Sequence, residues 1–186
     1  MGKADEKREK SKKQLVDTAL MLFSEKGYDA TSIRTIAAEA RVSLGLMYNY
    51  FSSKEELLHE VFRQGNSDII NSFAIHDKPV GTSSLKQHIL QTVQLLKYKR
   101  NFWRLLHSLR FQGNVMEQMA LEVKEQVSFI EEQLKKNLEE AGVQSPELEA
   151  KLLFAAIDGM AAHYLLNENY PIDEVANLLI QRYSNL

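Results

Sequence analysis

The 186 residues are enough for one sizeable domain, or for a small module joined to a larger one. No cysteine occurs among them, which excludes disulfides, thiolate nucleophiles and cysteine-based zinc sites; 44% apolar and 26% charged residues is the balance of a globular protein with a buried core. The net charge of −2 is uneven, because residues 1–54 hold ten Lys and Arg against seven Asp and Glu while the rest hold thirteen against eighteen. A basic first third on an acidic body suits a chain of which one end meets a polyanion, although an ordinary solvated face reads the same way.

The stretch Met1 to Lys13 is lysine-rich and lacks the apolar segment of a secretory signal. The longest apolar run, Leu152 to Ile157, is far short of the ~20 residues that span a membrane. A soluble, cytoplasmic chain with no membrane association is expected. Three prolines, eight glycines and a 3.6-residue apolar period nearly throughout predict an all-α fold of about nine helices.

The first helix, about Lys7 to Lys26, turns Leu15, Ala19, Leu22 and Phe23 to one face and ends at Gly27. Thr31 or Ser32 caps a short second helix with Ile33, Ile36, Ala37 and Ala40 in register. After Arg41-Val42, Ser43 caps a third helix to about Tyr50, and Ser53 caps a fourth with Glu55 and Glu56 in its first turn. That helix reaches the Phe73 region, and Pro79-Val80-Gly81 breaks the chain. Leu85 to Lys99 and Phe102 to Gln112 read as two more. Gly113 precedes a long helix striped with Met116, Ala120, Val123, Val127, Ile130, Leu134 and Leu138, which Gly142 stops. Ser145-Pro146 caps the eighth, and Ile172 to Tyr183, after Pro171, makes the ninth. Residues 1–52 form the first module and residues 53–186 a helical body.

The eighth helix is apolar nearly all round from Leu152 to Leu166, broken chiefly by Asp158 and His163. It either lies at the centre of a bundle or packs a second face, Ala155, Ala156, Gly159 and Ala162, on another copy of the chain.

The two short helices and their tight turn form a helix-turn-helix pattern. Ile33, Ile36, Ala37, Val42, Met47 and Phe51 fill a small core with Leu22 and Phe23. Leu44, Gly45, Leu46, Tyr48, Asn49 and Tyr50 have no obvious core to fill. Such a surface makes sense in a major groove, with the first residues at base edges and tyrosine hydroxyls on phosphates.

Lys26-Gly27-Tyr28, Thr31-Ser32-Ile33, Ile36-Ala37, Val42-Ser43, Gly45, Tyr48, Tyr50-Phe51 and Ser53-Lys54-Glu55-Glu56-Leu57 stand in a recognisable order and spacing. Over about residues 10–60 the chain resembles the TetR (tetracycline repressor) family of transcriptional regulators. The resemblance implies that Thr31, Ser32, Arg34, Tyr48, Tyr50 and Lys54 touch the DNA backbone, and that Ser43, Leu44, Gly45, Leu46 and Asn49 meet bases. Each has a plainer role as well: Thr31, Ser32 and Ser43 as helix caps, Arg34 as a solvated charge, Tyr48 and Tyr50 as packing on the first helix. One departure stands out. Arg41 occupies a turn position where the family usually has glycine, and a positive φ is costly for arginine. The turn is then re-shaped, or Arg41 adds a phosphate contact.

The family plan further implies a homodimer on an inverted-repeat operator in double-stranded DNA. It also implies a body that encloses a small-molecule effector, and by family habit a repressor that the effector releases. Phe102, Trp103, Leu106 and His107 share one broad face of the sixth helix, which serves equally as core or as pocket lining. Phe73, Phe129 and His163 are the other cavity candidates, and their apolar bias predicts a hydrophobic effector. No cofactor is expected, nor an enzyme. The five histidines lack metal-ligand spacing, and Ser83-Ser84-Leu85-Lys86 is followed by neither S-D-N nor K-T-G. A helical scaffold for protein partners is the remaining rival, to which Met116 and Met119 are suited if they are not core.

Overall fold

The computed structural model describes residues 2–73, 82–110 and 113–184, without the side chains at 3, 4, 68–73, 82, 83, 113, 114, 116, 118 and 184. Among the described residues there are nine helices and no strand: α1 (Lys3–Lys26), α2 (Ile33–Glu39), α3 (Leu44–Tyr50), α4 (Lys54–Phe73), α5 (Thr82–Tyr98), α6 (Arg100–Leu109), α7 (Gly113–Glu140), α8 (Pro146–Leu166) and α9 (Ile172–Ser184). Pro79-Val80-Gly81 and Gln112 lie outside the described residues.

Helix ends follow local chemistry. The hydroxyl oxygens of Ser32, Ser43 and Ser53 accept the N–H groups of Thr35, Leu46 and Glu56, each at 3.1 Å, satisfying donors that the first turn leaves open. Gly27 (φ 87°) ends α1 and Gly142 (φ 74°) ends α7. Three expectations need correction. α1 begins at Lys3, earlier than the apolar pattern indicates, because residues 5–14 include no apolar side chain and leave no periodic signal. Ser145 adopts a left-handed conformation (φ 56°, ψ 52°) and its side chain makes no cap; Pro146 disfavours the right-handed helical region at the residue before it. In α7 the buried positions among the described side chains, which do not include Met116, are Val115, Met119, Ile130, Leu134 and Leu138, whereas Ala120 is exposed and Val123 and Val127 are half-buried.

The described chain gathers into two compact units, Met1–Ser67 with Asn101–Met116, and Asp68–Arg100 with Glu117–Leu186. In the first, Leu15, Val16, Ala19, Leu22, Phe23, Ile36, Ala37, Met47 and Phe51 form a core, with Ile33 and Val42 only half-buried. Leu57, Leu58, Val61 and Phe62 of α4 are equally buried, so the boundary expected at 52–53 falls inside this unit. Phe102 of α6 meets Phe62 edge-on, with ring centroids 5.9 Å apart, and lies so close over Gly65 that any side chain there would run into its ring. The second unit buries Leu85, Ile89, Val93 and Leu96 of α5 and Leu153, Ile157, Met160 and Leu165 of α8, with Ile172, Ala176 and Ile180 of α9. Between its helices, Lys97 binds Asp173 at 2.6 Å and the Tyr183 hydroxyl donates to Glu149 at 2.7 Å.

α8 is buried along one face only. Leu148, Leu152 and Leu166 are 68%, 61% and 86% exposed, with Ala155 and Ala156 exposed beside them. No helix among the described residues is long and apolar enough to cross a membrane.

The turn between α2 and α3 is a left-handed cap. The Arg41 N–H donates to Ala38 O (3.1 Å) and the Val42 N–H to Ala37 O (3.0 Å), with Arg41 at φ 56°. A side chain in this region costs roughly 1–2 kcal/mol, less where the residue hydrogen-bonds locally. Arg41→Gly should therefore stabilise the protein by about 0.5–1 kcal/mol, after allowing for glycine's greater freedom when unfolded. Denaturant unfolding of the two proteins checks this, and an Arg41→Gly variant no more stable than the parent would contradict the strained-turn reading.

Candidate nucleic-acid interface

α3 is seven residues long, and Met47 is its buried residue. The Phe51 N–H closes the helix on Met47 O at 3.0 Å and its ring is buried. The remaining side chains face outward to different degrees. Ser43, Gly45, Tyr48 and Asn49 are exposed, Tyr48 by 53%, and Leu44, Leu46 and Tyr50 are half-buried. A Cβ added at Gly45 would meet nothing within 4 Å. On α2, Ser32, Arg34 and Thr35 are exposed, the two hydroxyls 2.8 Å apart. These residues form a patch of small and polar groups around two outward leucines.

Three residues that the resemblance assigns to the DNA backbone have inward partners. Thr31 is 2% exposed and its hydroxyl donates to Gly27 O at 2.8 Å, so it fastens the turn between α1 and α2. The Tyr50 hydroxyl donates to Arg8 O at 3.1 Å, and the Arg8 guanidinium sits 5.9 Å from the Tyr50 ring centroid. The Lys54 ammonium lies 4.0 Å from the Tyr28 ring centroid, a cation–π contact. Burial holds its pKa below the usual lysine value, against the opposing charges of Asp29 and Glu55. The Tyr28 hydroxyl donates to Glu55 at 3.2 Å, and burial, then the Glu55 charge, pushes this phenol up.

Carboxylates fasten α4 to the rest of the unit. Glu56 accepts from the Ser52 hydroxyl (2.7 Å) and N–H (2.6 Å), which in that order lower its pKa. Glu60 accepts from Arg63 (2.7 Å) and Gln64 (2.9 Å) and pairs with Lys12 of α1 at 3.2 Å. Arg63 first, then Gln64 and Lys12, hold its carboxyl down at about 2. Sequence alone does not single out Arg8, Lys12 or Glu60, because Arg8 and Tyr50 are 42 positions apart and no local pattern joins them.

The pocket candidates divide between the units. Phe102 and Leu106 are buried, and Trp103 and His107 half-buried, on α6 in the first. The Trp103 indole N–H there is out of water and has no hydrogen-bond partner among the described residues. Phe129 is half-buried in the second unit. His163, expected on a buried helix, is exposed on α8 and stacks on Tyr170 at 5.8 Å. The side chain of Phe73 lies outside the described residues. A groove of about 530 Å³ between α1 and α4 is charged, lined by Glu9, Lys10, Lys12, Lys13, Glu60, Arg63 and Gln64. Among the described residues no group of three or more His, Asp or Glu could hold a metal ion.

Residues 15–61, which span this frame, match the profile of bacterial regulatory proteins of the tetR family. This stretch is a tetR-family domain. The HTH-type transcriptional regulator YuxN of Bacillus subtilis is 52% identical over 46 residues, which cover 25% of this chain and 16% of YuxN. The HTH-type regulator PksA of the same organism is 25% identical over 181 residues, covering 86% of this chain and 80% of PksA. Over about nine-tenths of the chain the fold is that of solved TetR-like regulators: the B. subtilis FadR regulator, solved in complex with stearoyl-CoA, superimposes with a TM-score of 0.76 at 20% identity over 90% of this chain and 95% of that one.

The Glu60 pairing makes this TetR-family domain acid-sensitive. The carboxyl titrates near 4.5 when unfolded and near 2 when folded, so its contribution is complete above the first value and lost as pH falls towards the second. The stability gap between the protein and Glu60→Gln should narrow as pH falls from about 5 to about 2. Urea unfolding across that range tests it, and a gap that stays constant would show that Glu60 is not held this way.

Proposed function

We propose that this chain is a cytoplasmic, DNA-binding transcriptional regulator without enzymatic activity, a homodimeric repressor that a small hydrophobic effector releases from an inverted-repeat operator in double-stranded DNA. The observation that carries the reading is the outward face of α3, where Gly45, Tyr48 and Asn49 stand exposed on a rigid frame. A short helix face of polar groups and two leucines suits a major groove, where side chains meet base edges and thymine methyls. Ser43, Leu44, Gly45, Leu46 and Asn49 read bases, and Ser32, Arg34 and Tyr48 bind phosphates. Thr31, Tyr50 and Lys54 hold the frame through their inward partners and lie next to the backbone.

Dimerisation rests on α8. Its exposed Leu148, Leu152, Ala155 and Ala156 continue past Gly159, where an added Cβ would meet nothing within 4 Å, and half-buried Ala162 to exposed Leu166. A contiguous apolar strip of this kind marks an interface. The aromatic face of α6 supports an apolar effector. FadR of B. subtilis, which shares the fold, binds stearoyl-CoA, a ligand with a long apolar tail.

Selection from random double-stranded DNA tests the whole reading, and a protein scaffold would select nothing. An inverted repeat is expected, with half-sites one turn apart, ~34–36 Å. Leu46→Ala should change the preferred bases, since a bare apolar side chain meets a thymine methyl, whereas Tyr48→Phe should weaken all sequences alike. A motif unchanged by Leu46→Ala would remove α3 from the groove. In sedimentation, Gly159→Arg should convert a dimer to a monomer of undiminished helicity, and a monomeric parent protein at micromolar concentration would rule the dimer out.

A further inference from the structure

The helix-turn-helix of this chain is electrically neutral. Residues 15–54 hold Lys26, Arg34, Arg41 and Lys54 against Asp17, Glu25, Asp29 and Glu39. The whole cationic excess of the first third therefore sits in residues 3–14, where six Lys and Arg face three Asp and Glu. Duplex DNA carries about one negative charge per 1.7 Å, and release of its counterions by Lys and Arg is the main sequence-independent source of affinity. A neutral module gains little from it.

The early turns of α1 are not there to build the core, since no residue between 5 and 14 is buried. They are nevertheless anchored. The backbone carbonyl of Arg8 accepts a hydrogen bond from the hydroxyl of Tyr50, the last residue of α3, and its guanidinium covers the Tyr50 ring. One turn on, Lys12 is held by Glu60 at 3.2 Å and fixes how α1 is rotated. The cationic turns are thus locked to the end of α3, and residues 3–14 extend about 18 Å along the helix, about five base-pair steps.

We infer that the first turns of α1, through Lys7, Arg8 and Lys10, are a second DNA-binding element that grips phosphates beside the groove α3 enters. The inference rests on the DNA-binding reading above. α3 reads sequence with almost no charge, and α1 supplies the electrostatic attraction. Tyr50 is the joint that gives the two elements one register.

The full chain and its selected operator test this through the salt dependence of binding. Replacing Lys7 and Lys10 by Gln should lower the slope of log K against log salt by about 0.9 for each phosphate that is no longer neutralised. Operator and unrelated DNA should weaken by a similar factor, the selected motif should stay the same, and hydroxyl-radical protection should shrink at its outer flanks. Lys7→Arg with Lys10→Arg should restore the slope, and Lys135→Gln on α7 should leave it unchanged. An unaltered slope and affinity in the double Gln variant would overturn the α1 element while leaving the α3 reading intact. A parent protein with no affinity for any duplex would overturn both.

Discussion

A two-turn helix does not hold itself together in water, and α3 has two turns and one fully buried side chain. The rest of the first unit answers that constraint. One fully buried side chain, Met47, does little to orient α3, so its ends must do the rest. Ser43 closes the start and the buried Phe51 anchors the finish, while the Tyr50 hydroxyl reaches across to the α1 backbone. Side chains on the outer face carry no structural duty as a result. Gly45 and Asn49 contribute nothing to the core, which leaves their chemistry open to recognition.

α4 is secured by a different device. Its apolar side, Leu57, Leu58, Val61 and Phe62, lies in the core, and its polar side carries the Lys54–Tyr28–Glu55 cluster and the Glu60–Lys12 pair. Each of these part-exposed contacts is energetically modest. Together they fix the rotation of α4, because the apolar side resists sliding while the polar side specifies the angle. Gly65 beneath Phe102 adds a third constraint, an approach between helices that a methyl group would prevent.

Much of this is legible in sequence, where the signal is local. Ser32, Ser43 and Ser53 cap as their position demands, and Gly27 and Gly142 stop their helices with positive φ. The α3 face with no core to fill is visible from its tyrosines and glycine. Signals fail where the deciding partner is distant or the residue is amphipathic. Thr31 reads as a helix cap but is consumed by Gly27 O, and Lys54, which the resemblance places at the DNA backbone, rests on Tyr28. His163 reads as buried because its neighbours are apolar, yet α8 leaves that side exposed. In α7 small and β-branched residues at adjacent positions allow two registers, and the core takes Met119 over Ala120.

Two helices end in the same left-handed way on different residues. Gly142 and Arg41 close α7 and α2 with the same pair of backbone hydrogen bonds, one pair from Gly142 and Val143, the other from Arg41 and Val42. Glycine can leave that conformation for several others of similar energy, whereas a residue with a side chain has only a narrow left-handed basin. Once the fold has placed Arg41 there, the angle between α2 and α3 has little room to wander. The same residue that strains the turn therefore pre-organises it: less conformational entropy remains to be lost when the outer face of α3 meets its target.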